Sequence, residues 1–173
     1  LPEDLKGPRL TRGLPRPDFV AQRDGVPFDF RAETNGTLTF LFFGYTHCPD
    51  VCPLHMNNLT SAIRGLPDRI RAQVRVVFVT TDPERDTPAR LRSWLGNFDS
   101  SYVGLSGDLT HLNAVQQSLG MPPAMRDQEP PKDGYTVSHG AHLWAFTPDD
   151  SAHVVYPLGL KTEDLAADIP KLL

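Results

Sequence analysis

Cysteine is scarce in this 173-residue chain, which has only Cys48 and Cys52, four positions apart. Two cysteines so close exclude the multi-bridge scaffolds of small secreted domains, and a bridge between them would close too short a loop to stabilise much. Chemistry is the better reason for keeping both. The pair also falls short of a structural zinc site, which normally needs four Cys or His ligands. A long hydrophobic run is missing too: the most extended apolar stretch, around 38–45, is far below the ~20 residues that span a bilayer. No charge of one sign dominates. The 17 Lys and Arg against 21 Asp and Glu leave a net charge of -4, which offers no broad attraction to nucleic acid, and none is expected as a partner. The chain opens without a charged segment followed by an apolar one, so no signal peptide is expected within it. It starts at Leu1 rather than methionine, and the expectation is that an upstream segment has been removed.

What is present is ordinary globular material, 39% hydrophobic and 22% charged, in a length that fits one domain with a sizeable core. Residues 1–17 are rich in Pro, Gly and charge without helical or strand periodicity; they read as a flexible arm or linker and leave 18–173 as the domain. Phe19-Val20-Ala21 and Phe28-Asp29-Phe30 flank the turn-prone Arg23-Asp24-Gly25, the pattern of a β-hairpin. Residues 37–45 (TLTFLFFGY) predict a strand buried on both faces. Leu54, Leu59, Ala62, Ile63 and Leu66 then recur at helical spacing, with Pro53 suited to the first turn. A strand over 74–80, a helix over 88–98, a strand over 102–105 and a helix over 109–119 continue the alternation. Such βαβ units imply a mostly parallel sheet covered by helices. After a proline-rich excursion at 120–134, residues 135–147 and 152–156 read as two strands joined by Pro148-Asp149-Asp150. A closing helix over 162–172 would be capped by Thr162. The fold class is therefore α/β: a central, mostly parallel or mixed sheet flanked by helices, with an N-terminal hairpin.

The two cysteines fall at the junction of the buried strand and its helix. With Cys52 at the N-cap and Cys48 just before it, both sulfurs would lie near the positive end of the helix dipole, which favours thiolate over thiol. A metal ligand and an attacking thiol both need that. The three-residue gap, with Pro49 in it, leaves a wider loop than the two-residue gap of thioredoxin-like reductants, so a metal and a disulfide both remain open. His47, His55, His139 and His142 are the candidate further ligands. His139 stands out because it follows a long loop and opens a strand, at a sheet end where open α/β folds place ligands. Two thiolates and one imidazole form a soft, low-coordinate set suited to Cu(I) and able to hold Cu(II).

Three stretches carry a resemblance. FFGYTHCPDVCP before a helix, TTDPERDTP at the end of the next strand and, much later, GYTVSHG resemble the SCO/SenC family of copper-delivery proteins, in the right order and over nearly all the chain after residue 17. The resemblance implies a thioredoxin-like fold and copper ligands at Cys48, Cys52 and His139. It implies that the protein supplies copper to the binuclear copper A centre in subunit II of cytochrome c oxidase, or reduces that subunit's cysteines so that another copper chaperone can load it. It further implies a monomer outside the cytoplasmic membrane, periplasmic or on its outer face. The tether would be an N-terminal anchor absent here, with the Pro/Gly-rich start as linker. One position departs from the family pattern: an acidic residue commonly precedes the histidine, where this chain has Ser138.

The main alternative is an extracytoplasmic thiol-disulfide oxidoreductase, with Cys48 and Cys52 as catalytic residues, one attacking a partner disulfide and the other resolving the intermediate. Thr136-Val137-Ser138-His139 lacks the proline that faces the dithiol in thioredoxin-type reductants, which argues against this as the sole role. Peroxidase activity would need an activating arginine, and none adjoins the cysteine loop in sequence. Asp82 and Asp86 bracket a turn before a helix. Capping by Asp86 or Thr87 ahead of Pro88 is the simpler reading, with a supporting or docking role at the copper site as the other. Met121 and Met125 read as packing residues. His47 is expected to tune the neighbouring thiol or face solvent, and His142 to point to the opposite face of the strand from His139.

Overall fold

The computed structural model describes residues 1–48, 51–121, 125–126, 137–138, 142–157, 159 and 161–173, with only the backbone of 51, 125–126 and 137–138. Along the chain run β1 (Arg9–Pro15), β2 (Val20–Arg23), β3 (Val26–Asp29), α1 (Phe30–Thr34), β4 (Leu38–Gly44), α2 (Val51–Arg64), α3 (Asp68–Arg71) and β5 (Val74–Thr80). They are followed by α4 (Pro88–Gly96), β6 (Val103–Leu105), α5 (Leu109–Ser118), β7 (Met125–Arg126), β8 (Val137–Ser138), β9 (Leu143–Phe146), β10 (Ser151–Tyr156) and α6 (Thr162–Asp168). A 3-10 turn, Ile169–Lys171, closes the order.

Six strands form one sheet in the order β1-β10-β9-β4-β5-β6. Pairing is parallel for β4 with β5 and β5 with β6, and antiparallel for β1 with β10, β10 with β9 and β9 with β4. The sheet is thus mixed, and its layers are those of a thioredoxin-like α/β fold. Every residue of β4 is buried, as a central strand covered on both faces requires. Its side chains alternate with the pleat. Leu38, Phe40 and Phe42 join Met56 and Leu59 of α2, Trp94 of α4 and Leu165 of α6 in one core. Leu41 and Phe43 join Phe28 of the β2-β3 hairpin, Phe30 of α1 and Leu112 of α5 in the other. The hairpin turns at Asp24 and Gly25, whose φ values of 53° and 76° are those of a type I′ turn.

The flexible arm expected at 1–17 is corrected by β1, which pairs with β10 as the sheet's edge. Two buried side chains fasten this stretch. The Arg16 guanidinium donates to Asp150 Oδ1 (2.9 Å), the hydroxyls of Thr34 (3.0 Å) and Thr39 (2.7 Å), and the carbonyls of Thr37 and Thr147 (both 2.9 Å). The Asp168 carboxylate accepts the N–H of Lys6 and of Gly7, each at 2.8 Å, and the Tyr156 hydroxyl at 3.0 Å. The single strand expected over 135–147 is also corrected. Its described parts are two strands in different sheets: β8 pairs with β7, and β9 with β4 and β10. Thr162 is the first helical residue of α6, not its cap; Lys161 holds the cap position without a side-chain bond.

Candidate metal centre

Strands β4 and β5 end side by side, with Gly44 opposite Thr80. Carboxyl ends of adjacent strands are where open α/β sheets meet their ligands, because the loops leaving them converge there. The two loops are tied together here. Thr81 donates its N–H to the Gly44 carbonyl at 2.7 Å, and Cys48 donates its own to the Tyr45 carbonyl at 3.1 Å, making a tight turn of 45–48.

Helix α2 begins at Val51, so Cys52 lies inside its first turn rather than at the N-cap. The side-chain acceptor that the first turn needs is supplied by the other cysteine: the Cys52 N–H points at Cys48 Sγ, 3.5 Å away. Both residues are free cysteines and both are buried, Cys48 7% exposed and Cys52 0%. Burial, then the hydrogen bond and charge of Cys48 and the charge of Asp86, push the Cys52 thiol far up, against a smaller opposing bond from the Tyr45 backbone. Gly44 leaves room for this sulfur: a Cβ there would stand 2.7 Å from Cys52 Sγ and 3.0 Å from the Phe42 and Phe78 rings.

Asp82 and Asp86 take roles that capping does not describe. Thr87 caps α4 by accepting the Arg90 N–H at 3.2 Å, and Pro88 follows it. The Asp86 carboxylate turns inward, wholly buried, and accepts the Thr46 N–H (3.1 Å), the Thr46 hydroxyl (2.5 Å) and the Thr80 hydroxyl (2.7 Å). Asp82 donates its N–H to Thr80 Oγ1 at 3.0 Å and pairs its carboxylate with Arg85 Nε at 2.5 Å. Arg85 in turn stands 5.8 Å over the Tyr45 ring, and Arg90 Nε donates to Thr46 Oγ1 at 3.0 Å. Two arginines therefore approach the start of the cysteine loop from another element, which sequence adjacency alone did not reveal. Thr46, Thr80 and Gly44 were missed as well; the only sequence signal was their position at the two strand ends.

Of the histidines, His47 is solvent-exposed with Nδ1 3.3 Å from Thr46 Oγ1 and 3.9 Å from Asp86 Oδ1. His55 is buried against Phe42, ring centroids 5.2 Å apart. His142 lies 6.5 Å from the ring of Trp144, a residue of the second core, whereas both cysteines belong to the first. His139 lies outside the described residues, as do Pro49 and Asp50. The chain enters β9 at Leu143, opposite Phe42, at the sheet end from which the cysteine loop departs. The Met121 sulfur accepts the Trp144 indole N–H at 3.1 Å in the second core, which makes it a packing residue; the side chain of Met125 lies outside the description. Among the described residues no three His, Cys, Asp or Glu side chains gather as a metal site, and no helix is long and apolar enough to cross a membrane.

A family model described as SCO1/SenC matches residues 18–173. A relative from Stutzerimonas stutzeri is 34% identical over 167 residues, 94% of this chain and 78% of that one. The mitochondrial SCO2 protein of Saccharomyces cerevisiae is 32% identical over 127 residues, 73% of this chain; the chain spans 42% of that protein's length. Among solved structures, apo Sco1 of Thermus thermophilus is 30% identical with a TM-score of 0.85, covering 98% of this chain and 97% of that one. ScoI of Bradyrhizobium japonicum, solved with copper bound, is 33% identical with a TM-score of 0.76 over 93% of this chain and 99% of that one. BsSco, described as a member of the Sco family of cytochrome c oxidase assembly proteins, shares the fold at 19% identity, with a TM-score of 0.70 over 96% of each chain.

Proposed function

Because the chain belongs to the SCO1/SenC family, we propose that it carries copper as cargo for cytochrome c oxidase assembly, gripping it with the thiolates of Cys48 and Cys52 and the imidazole of His139. The observation that carries this reading is the sulfur pair at the start of α2, where Cys48 Sγ meets the Cys52 N–H at 3.5 Å beside the paired ends of β4 and β5. The donor set fits the cargo: thiolate and imidazole suit Cu(I), and the same three groups can hold Cu(II). What supports His139 as the third ligand is the entry of β9 beside β4 at this end of the sheet, together with the position of His142, solvent-exposed and near Trp144 of the second core. The destination we assign is the binuclear copper A site of cytochrome c oxidase subunit II, reached directly or through another copper chaperone by exchange of ligands. The domain would act as a monomer on the outer side of the cytoplasmic membrane. Arg9–Pro15 pair with β10, and Lys6 and Gly7 are held by Asp168, so this stretch is part of the domain rather than a free linker.

A second reading is favoured by the free thiols of Cys48 and Cys52, of which Cys48 is the less deeply buried residue. In a reductase, Cys48 attacks a disulfide of subunit II, one sulfur of that disulfide leaves as a thiol, and Cys52 then displaces the other to leave the protein oxidised. Mixing the copper-loaded protein with the reduced, copper-free soluble domain of a subunit II tests delivery: the copper A absorption develops if copper is handed over. Mixing the reduced, metal-free protein with the oxidised domain tests reduction. Development of copper A only after the second treatment, with copper added separately, would overturn delivery in favour of the reductase reading.

A further inference from the structure

Asp86 is a buried carboxylate that caps nothing, since Thr87 does that work for α4. A charge taken wholly out of water needs compensation, and Asp86 draws its three hydrogen bonds from only two residues, Thr46 at the end of β4 and Thr80 at the end of β5. Among the described residues, His47 Nδ1 stands 3.9 Å from it, and Arg90 Nε donates to the Thr46 Oγ1 that Asp86 holds. Thr46 sits two residues before Cys48, inside the turn closed by the Cys48 N–H on the Tyr45 carbonyl. Holding Thr46 by both its N–H and its hydroxyl therefore fixes where the chain delivers Cys48.

We propose that Asp86 is a positioning residue: acting through Thr46, it sets the distance between the sulfurs of Cys48 and Cys52, and with it the effective concentration of one thiol at the other. The proposal rests on the reading of Cys48 and Cys52 as the working pair. Groups fixed within reach of each other react as if highly concentrated, and loosening the anchor lowers that concentration. A loosened Cys48 would form the intramolecular disulfide less readily and would be easier for a reagent to reach.

The test uses the whole chain and four variants: Asp86→Asn, Thr46→Val, Thr46→Ser and, as a control, Tyr156→Phe. The control removes a buried hydrogen bond of comparable kind, Tyr156 to Asp168, at a different place in the core. Two quantities are read without copper, the dithiol-disulfide equilibrium against dithiothreitol and the rate at which iodoacetamide alkylates Cys48 in a Cys52→Ala background. Asp86→Asn and Thr46→Val are expected to shift the equilibrium about tenfold toward the dithiol, about 30 mV for a two-electron couple, and to speed alkylation. Thr46→Ser, which keeps both donors, restores the original values, and Tyr156→Phe lowers Tm without moving either quantity. Asp86→Asn and Thr46→Val that lower Tm as the control does, yet keep both quantities unchanged, overturn the proposal. Failure of the unmutated protein to bind copper would instead overturn the copper reading, because neither quantity here depends on the metal.

Discussion

At the scale of single residues, the buried thiol of Cys52 couples the site to pH. In the reduced, metal-free protein its burial, the Cys48 sulfur and the Asp86 charge favour the protonated form. A folded-state value raised above that of the unfolded chain means that the folded protein holds the proton more tightly. The stability this confers is complete below the ordinary cysteine value of about 8.5 and is lost progressively as pH rises above it. Urea unfolding from pH 7 to pH 10 is expected to show falling stability, and Cys52→Ala is expected to flatten the fall. An equal slope in that variant would assign the effect elsewhere. Copper reverses the preference, since a coordinating thiol must give up its proton, so copper affinity is expected to increase with pH over the same range. Gly44 makes a second residue-level claim. Gly44→Ala forces a Cβ against Cys52 Sγ and two aromatic rings. Overpacking of this kind costs about 1–3 kcal/mol; urea unfolding measures that loss, and the same variant should bind copper more weakly if the displaced sulfur is the ligand we propose.

The elements were unequally legible in the sequence. Strand β5 begins and ends where the run VRVVFVT predicts, and β4 differs from its predicted span by one residue at each end, because continuous apolar runs have few other destinations. The hairpin was announced by Asp24-Gly25, a pair that tolerates positive φ. Strand β1 was hidden for a physical reason: as an edge strand it needs no alternating apolar pattern, and Arg9, Thr11, Arg12 and Gly13 within it are exposed. Its fastening comes from Arg16, whose five hydrogen bonds join residues between 34 and 150 and leave no local signal. Arg16→Ala is expected to cost about 3 kcal/mol, because it takes a buried donor away from the hydroxyls of Thr34 and Thr39, from two carbonyls and from the Asp150 carboxylate. Deleting 1–17 should cost more and expose the β10 edge; a truncated chain as stable as the whole in thermal unfolding would restore the linker reading. The division of 135–147 between β8 and β9 was likewise illegible, since nothing in a continuous β-favouring stretch says that it changes sheets.

At the scale of the whole molecule, the sheet order brings distant segments together. Placing β4 between β9 and β5 sets the cysteine loop between the chain entering β9 and the loop that carries Asp82 and Asp86. The sequence disclosed the two soft sulfurs of this end, four residues apart, and offered the histidine far along the chain that we propose as their partner. It did not disclose the mechanics: Asp86 looked like a cap because it precedes a proline-led helix, and only the fold turns its carboxylate toward Thr46. The three-ligand grip is the central claim, and titrating the fully reduced protein with copper, followed by the thiolate-to-copper(II) absorption, tests it most directly. One copper per chain is predicted, with binding weakened about tenfold or more by His139→Ala, in line with the loss of a metal-site contact, while that variant still forms the Cys48–Cys52 disulfide. Unchanged copper affinity in His139→Ala would contradict the account.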